Sequence, residues 1–334
     1  MSVMSLRLKA CAYLLVLATN AAIANGDPVF DALRLRLECQ DDEVTFGEPA
    51  WFFMSMYNSS NNTISINPGV IYNAILLCSL DAVEYSPCVY ERMFSDFLDH
   101  LDMYPGRVVW KGEVRLYLKG TPRTDLKRQD GYVNDLVFPG PGTYYVKAVS
   151  GDAENLHSNA IRLTVALLPE SERPVMEIWS RPEVARFMNG QTITSKEGVE
   201  PLERLLEQYP DSLYADHARY ALGYYWSSQH FRDSSGTRTD RTADPPMLRK
   251  AYKLVSGVTD RIPILKLRAL YRQLEIVGGN LFMHDHVDVK SLAAEVQSRM
   301  SLADRIGLGE KMREWLQRLL AREEPTETLG AAPR

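Results

Sequence analysis

The chain has 334 residues, 45% of them hydrophobic, 10% aromatic and 24% charged, with a net charge of −5. That balance excludes a disordered polymer and a fibrous repeat, and is what a folded globular protein requires. Between residues 27 and 168, 12 Lys and Arg stand against 19 Asp and Glu, and from 169 to 334 the two are equal at 24, so neither half has the cationic excess of a nucleic-acid binder.

The first elements in chain order form a secretory signal over residues 1–24. Arg7 and Lys9 supply the positive start, Cys11 to Ala18 the apolar run, and Ala22-Ile23-Ala24 the small residues of a cleavage site placed after Ala24. The apolar run is shorter than the roughly 20 residues that span a bilayer. An exported protein is therefore expected, periplasmic or extracellular, with no transmembrane segment once the signal is removed. About 310 residues remain, more than one core usually holds, so two domains are expected.

From Asp31 to Leu168 the rhythm is that of strands, and a domain over 27–168 is expected. Leu33, Leu35, Leu37 and Cys39 alternate with Arg34, Arg36 and Glu38, the period of two that puts charges on one face. Pro49 precedes the apolar run Trp51–Tyr57, and Asn58-Ser59-Ser60-Asn61-Asn62 supplies a turn. Asn58 and Asn61 also fit the glycosylation pattern. Further strands are read at Ile64–Ile66, Ala74–Leu80, Glu113–Leu118, Thr143–Val149 and Ala160–Val165, with a short amphipathic helix through Met93, Phe94, Phe97, Leu98 and Leu101. Pro139-Gly140-Pro141-Gly142 forces a tight entry into Thr143. The run TFGEPAWFFMSMYNSS (45–60), with PGTYYVKAV (141–149) and SNAIRLTV (158–165), resembles the strands of immunoglobulin-like and fibronectin-like extracellular domains. That resemblance covers about 140 residues, implies an antiparallel β-sandwich and names no ligand.

Pro169–Pro174 reads as a charged linker, after which the apolar period becomes helical and a helical domain is expected over 175–322. Val199, Leu202, Leu205, Leu206 and Tyr209 form one stripe that Pro210 ends, and Asp211 or Ser212 can cap the helix that follows. Ser227 to Pro246 reads as a loop. Further helices are read near Met247–Gly257, Ile264–Val277, Asp288–Met300 and Leu302–Arg322, with Gly307-Leu308-Gly309 as a joint and a disordered tail over 323–334. Leu202, Leu205 and Pro210 followed by Leu222, Gly223 and Trp226 resemble the junction between two tetratricopeptide repeats. Arg219, where that family places a large aromatic, and Gly198, where it places Ala, depart from the pattern. The firm match covers about 30 residues. The fold class expected is thus α+β in two domains, an immunoglobulin-like sandwich followed by tetratricopeptide-like helical hairpins.

The resemblance implies a groove lined by His217, Tyr220, Tyr224, Ser227 and Ser228, and these positions share one side of a helix while Ala218, Leu222 and Tyr225 share another. Tyrosines there would offer the flat contact surface common at binding hot spots; the alternative is that they cover a neighbouring element. Gly223, lacking a side chain, would let a second helix approach closely. Of the cysteines beyond the signal, Cys39 continues an inward series, and Cys78 and Cys88 flank a polar segment short enough for a hairpin disulfide, worth roughly 2–3 kcal/mol on a chain-entropy estimate; the alternative is three buried thiols. His284-Asp285-His286-Val287-Asp288 has metal-ligand chemistry, but Asp288 more simply caps a helix and no third partner stands at a diagnostic distance. Nucleophile-elbow, phosphate-loop and His-Glu-x-x-His motifs do not occur. The expectation is an exported non-enzymatic protein, without cofactor, that binds a protein or peptide through its helical domain. The alternative is an enzyme with its site at the domain junction, for example a metal-dependent hydrolase using His284 and His286.

Overall fold

The computed structural model describes residues 32–66, 73–92, 101–106, 108–116, 118–120, 132–150, 156–188, 196–228 and 245–323. The signal segment, the helical reading over 93–98, most of the loop after Ser228 and the tail beyond Glu323 lie outside the described residues. The chain divides into two compact units, Met1–Leu167 with the strands and Leu168–Arg334 with the helices. It is a mixed α+β protein.

In the first unit β1 (Leu33–Cys39) buries Leu33, Leu35 and Leu37 and exposes Arg34 and Arg36. It pairs antiparallel with β3 (Ala50–Asn58), setting Leu37 opposite Met54 and Leu35 opposite Met56. On its other side β3 pairs with β8 (Val108–Leu116). A five-stranded sheet runs in the order β2 (Glu43–Thr45), β12 (Ile161–Ala166), β11 (Gly142–Ser150), β5 (Asn73–Ser79), β6 (Ser86–Arg92). Its β2–β12 pair is parallel and its other pairs are antiparallel. One core takes side chains from both sheets: Leu33, Leu35, Leu37, Phe52 and Met54 meet Tyr144, Val146, Ala148, Leu163 and Val165. Alternate residues of each strand point the same way, so a period of two suffices to build that layer. The free edge of β1 is partly closed by the Asn159 amide, which accepts from Leu37 N at 3.0 Å and donates to Leu37 O at 2.9 Å.

Two small ribbons complete the unit, β4 (Ile64–Ile66) with β7 (Leu101–Met103) and β9 (Leu118–Gly120) with β10 (Tyr132–Leu136). Leu101, expected at the end of a helix, instead pairs with Ile66. The ladder to β4 satisfies its backbone, and Met103 two residues on is fully buried.

The second unit begins earlier than its hydrophobic stripes suggest. The stretch read as a linker forms a single 3-10 turn, Glu170–Glu172, running into α1 (Arg173–Trp179). Pro174 lies in the first turn of α1, where its missing N–H loses no intrahelical bond. Then follow α2 (Pro182–Met188), α3 (Val199–Gln208), α4 (Ala215–Ser228), α5 (Pro245–Ser256), α6 (Pro263–Gly279), α7 (Val289–Ser298), α8 (Met300–Arg305) and α9 (Gly309–Glu323). The single helix expected over Leu302–Arg322 is two, because Gly307 takes φ 78°, which reverses the chain between α8 and α9. No helix among the described residues is long and apolar enough to cross a membrane.

Two helices form the centre of this unit. Along α6 Leu265, Leu267, Leu270, Leu274 and Val277 are buried on successive sides, the mark of a helix enclosed by neighbours. Along α4 Ala215, Ala218, Leu222 and Tyr225 are buried. Gly223 is where α5 comes closest: a Cβ there would stand 2.5 Å from Val255 Cγ1 and 3.2 Å from Ala251 O. The glycine therefore sets the α4–α5 separation, and any larger residue would force the pair apart.

Candidate functional site

The site is built from the turn between α3 and α4 and from the face of α4 that follows. Tyr209 leaves helical geometry at φ −136°, ψ 60°, and Pro210 cannot continue an intrahelical ladder. Ser212, one of the two expected caps, bonds within the turn just before α4 rather than to an amide of the helix. Its hydroxyl accepts from Tyr214 N at 3.1 Å and donates to Glu172 Oε2 at 2.7 Å, while Glu172 Oε1 accepts from Leu213 N at 3.2 Å. The turn is thus fastened to the start of the unit, forty residues earlier.

A second fastening explains Arg219. Its guanidinium pairs with Asp216 at 2.8 Å and donates to Pro210 O at 2.6 Å. Asp216 is almost wholly buried, and its second oxygen accepts from the Thr259 hydroxyl. Arg261 donates to Leu213 O. Arg219 thus ties the turn to the start of α4, and Asp216 carries the tie on to Thr259 in the α5–α6 connection. A buried carboxylate is tolerated only when so partnered.

The five residues expected to line a groove separate in the fold. His217 is fully buried, its ring 6.1 Å from that of Trp179, which also packs against Tyr214 at 5.1 Å. Ser227 is buried too and donates to Tyr224 O at 3.0 Å. Tyr220, Tyr224 and Ser228 are half-buried and follow one another at intervals of four, one strip along the helix. The inward turn of His217 and Ser227 follows from the enclosure of α4 on more than one side, so the solvent-facing arc is narrower than a two-faced helix would give.

Arg272, on α6, is the member of this surface that the sequence did not disclose. Its guanidinium lies 4.0 Å from the centre of the Tyr224 ring and pairs with Glu275 at 2.9 Å. Nearby on α6, Tyr271 has its hydroxyl pushed up to about 12, first by burial and then by the Glu275 carboxylate, so it stays a neutral phenol. The strip is aromatic, fixed by a stacked cation and nearly neutral in charge. Further along α4, Lys250 lies 4.2 Å over the Trp226 ring and pairs with Glu203 at 2.7 Å.

The His284–His286 segment forms a 3-10 helix, Leu281–His286, and Asp288 caps α7 by accepting from Ser291 N at 3.0 Å. Among the described residues no group of three or more His, Cys, Asp or Glu gathers as a metal site. Cys39 is half-buried, its thiol 3.4 Å from Trp51 O and pushed up to about 12 by burial, which suppresses the reactive thiolate. Cys78 and Cys88 lie on the paired strands β5 and β6, but the register sets Cys78 opposite Ser86, with a bulge between Pro87 and Val89; the Cys88 side chain is outside the described residues. Asn58 is fully buried, its amide donating to Asn62 O and Met103 O at 2.7 and 2.8 Å, so it organises the turn after β3 instead of offering a glycan acceptor.

No protein-family model matches the chain, and no curated protein matches it. Among solved structures it is similar to a β-glucosidase from Erythrobacter marinus (13% identity, TM-score 0.23), covering 40% of this chain and 15% of that one. A β-glucosidase from Listeria innocua in complex with isofagomine gives 10% identity, 40% and 16% coverage and a TM-score of 0.23. The sporulation control protein Spo0M from Bacillus subtilis gives 12% identity, 44% and 54% coverage and a TM-score of 0.22. The chain thus spans about a sixth of the glucosidases and about half of Spo0M. At these TM-scores the likenesses decide neither fold family nor activity.

Proposed function

We propose that this is an exported, non-enzymatic binding protein that holds a protein or peptide partner on the aromatic strip of α4. The observation that carries the reading is the strip itself: Tyr220, Tyr224 and Ser228 half-buried on one side of a helix whose other sides are packed, with Tyr224 stacked on Arg272. Rigid aromatic surface costs little conformational entropy on binding and is enriched at interface hot spots. The Arg272–Glu275 pair leaves the strip close to neutral, which favours apolar or aromatic partner side chains over strongly charged ones.

The finer architecture we propose for the two units fits that role. An immunoglobulin-like sandwich for the first is supported by strand order, by the parallel β2–β12 edge and by Tyr144 near the start of β11, whose hydroxyl donates to Gly140 O at 2.7 Å, the corner bond common in that class. A tetratricopeptide-like arrangement for the second is supported by the α3–α4 junction at Pro210 and the close approach at Gly223. Export is supported by the segment Arg7–Ala24.

The test is affinity capture from an envelope and culture-medium extract with the full chain and with Tyr220→Ala plus Tyr224→Ala. Loss of a reproducible partner by roughly ten-fold or more, with an unchanged thermal melt, is the expected result. Capture that is equal for the two proteins would remove α4 from the interface.

A further inference from the structure

We propose that the β5–β6 turn is a docking knob that inserts Leu80 and Val83 into an apolar pocket bordered by lysine or arginine on another protein. Leu80 and Val83 are 68% and 79% exposed, two of the large hydrophobic side chains that stand out among the described residues, only three positions apart. Scattered exposed hydrophobes are ordinary. These two are held in place. The Asp81 carboxylate accepts from the Ser79 hydroxyl at 2.8 Å and from Val83 N and Glu84 N at 2.9 and 3.0 Å. At the base of the turn Lys147 lies 4.0 Å over the Tyr85 ring.

Ala82, at the tip, takes φ 62°, the left-handed region that a side chain with a Cβ disfavours. Glycine there would be unstrained and serine at 80 or 83 would leave the three Asp81 bonds of the turn intact, so local folding alone does not call for this sequence. The turn instead orders its hydrophobes before any partner arrives, which removes an entropic cost of docking. Strain of this kind concentrates at contact sites.

Charge selects the occupant. Asp81 and Glu84 are both exposed beside the apolar pair, and their negative potential repels an anionic bilayer surface while favouring a pocket with a cationic rim. The proposal concerns the strand unit and stands independently of the aromatic strip on α4.

The experiment places a photo-crosslinking residue at position 80 of the full chain, expressed in its own host, with a control crosslinker at exposed Arg162 on β12. The expected result is one discrete adduct, absent from the control, whose crosslinked partner residues map to an apolar pocket bordered by Lys or Arg. Val83→Ser and Glu84→Lys should each lower its yield roughly ten-fold while leaving the thermal melt unchanged. An adduct to a second copy of this chain, flotation with phosphatidylethanolamine and phosphatidylglycerol vesicles that depends on Leu80, no adduct, or one insensitive to both substitutions would overturn the proposal.

Discussion

The turn at Tyr209–Tyr214 and the turn at Ser79–Tyr85 solve the same task by opposite means. The first joins two helices and is held chiefly by groups distant in sequence: Glu172 bonds Ser212 and Leu213, and Arg261 bonds Leu213, while the nearer Arg219 bonds Pro210. The second joins two strands and is held chiefly by its own Asp81. A turn fastened from outside becomes part of the core, and Tyr214 within it is fully buried. A turn fastened from within leaves its apolar side chains outside. The difference implies that injury to the first spreads through the helical unit, whereas injury to the second stays local.

Asp216→Ala should give the largest effect. It strips a buried partner from Arg219 and Thr259 together, and urea denaturation should report a loss of about 3 kcal/mol, the scale for breaking a buried ion pair. A loss within the range of a surface pair would show the helical turn to be locally held after all. Ser212→Ala should cost about 1 kcal/mol by the same measurement, since it removes the hydroxyl shared by Glu172 and Tyr214.

In the strand turn the sign reverses. Ala82→Gly relieves the positive φ and should raise stability by about 0.5 kcal/mol, after the added freedom of the unfolded chain is set against the relief; a destabilised protein would show that the turn relaxes around Ala82 without strain. The smallest effect is the response to acid. The amides of Val83 and Glu84 and the Ser79 hydroxyl hold the Asp81 carboxyl below its ordinary 3.8. A depressed value in the folded state means that the stabilisation is complete above 3.8 and is lost as pH falls through the lower, folded value. Protection factors of the Val83 and Glu84 amides should therefore be constant while the pH stays above 3.8 and drop as it falls below that value, with no matching change in the helical unit.

The candidate surface was only partly legible in sequence. Tyr220, Tyr224 and Ser228 lie four apart, so helical geometry alone groups them. His217 and Ser227 satisfied the same wheel, yet both are buried, because a wheel cannot tell how many neighbours a helix will have. Arg272 stands 48 positions from Tyr224 and in a different helix, and no local pattern connects them. Arg219 was visible as a departure from a repeat pattern, but its role needed Asp216, Thr259 and Pro210 in place around it.

What the sequence by itself determined is the content of each unit: period two through Leu33, Leu35 and Leu37, helical spacing after Pro174 and the stop at Pro210. These are short-range consequences of sterics and of which side chains avoid water, written within a few residues. Only the tertiary structure decided that α4 and α6 are enclosed, that Leu101 belongs to a strand, and that one turn is drawn inward by Glu172 and Arg261 while another holds Leu80 and Val83 out. Those outcomes depend on partners tens of residues away, whose pairing is chosen by burial of the whole chain rather than by any segment of it.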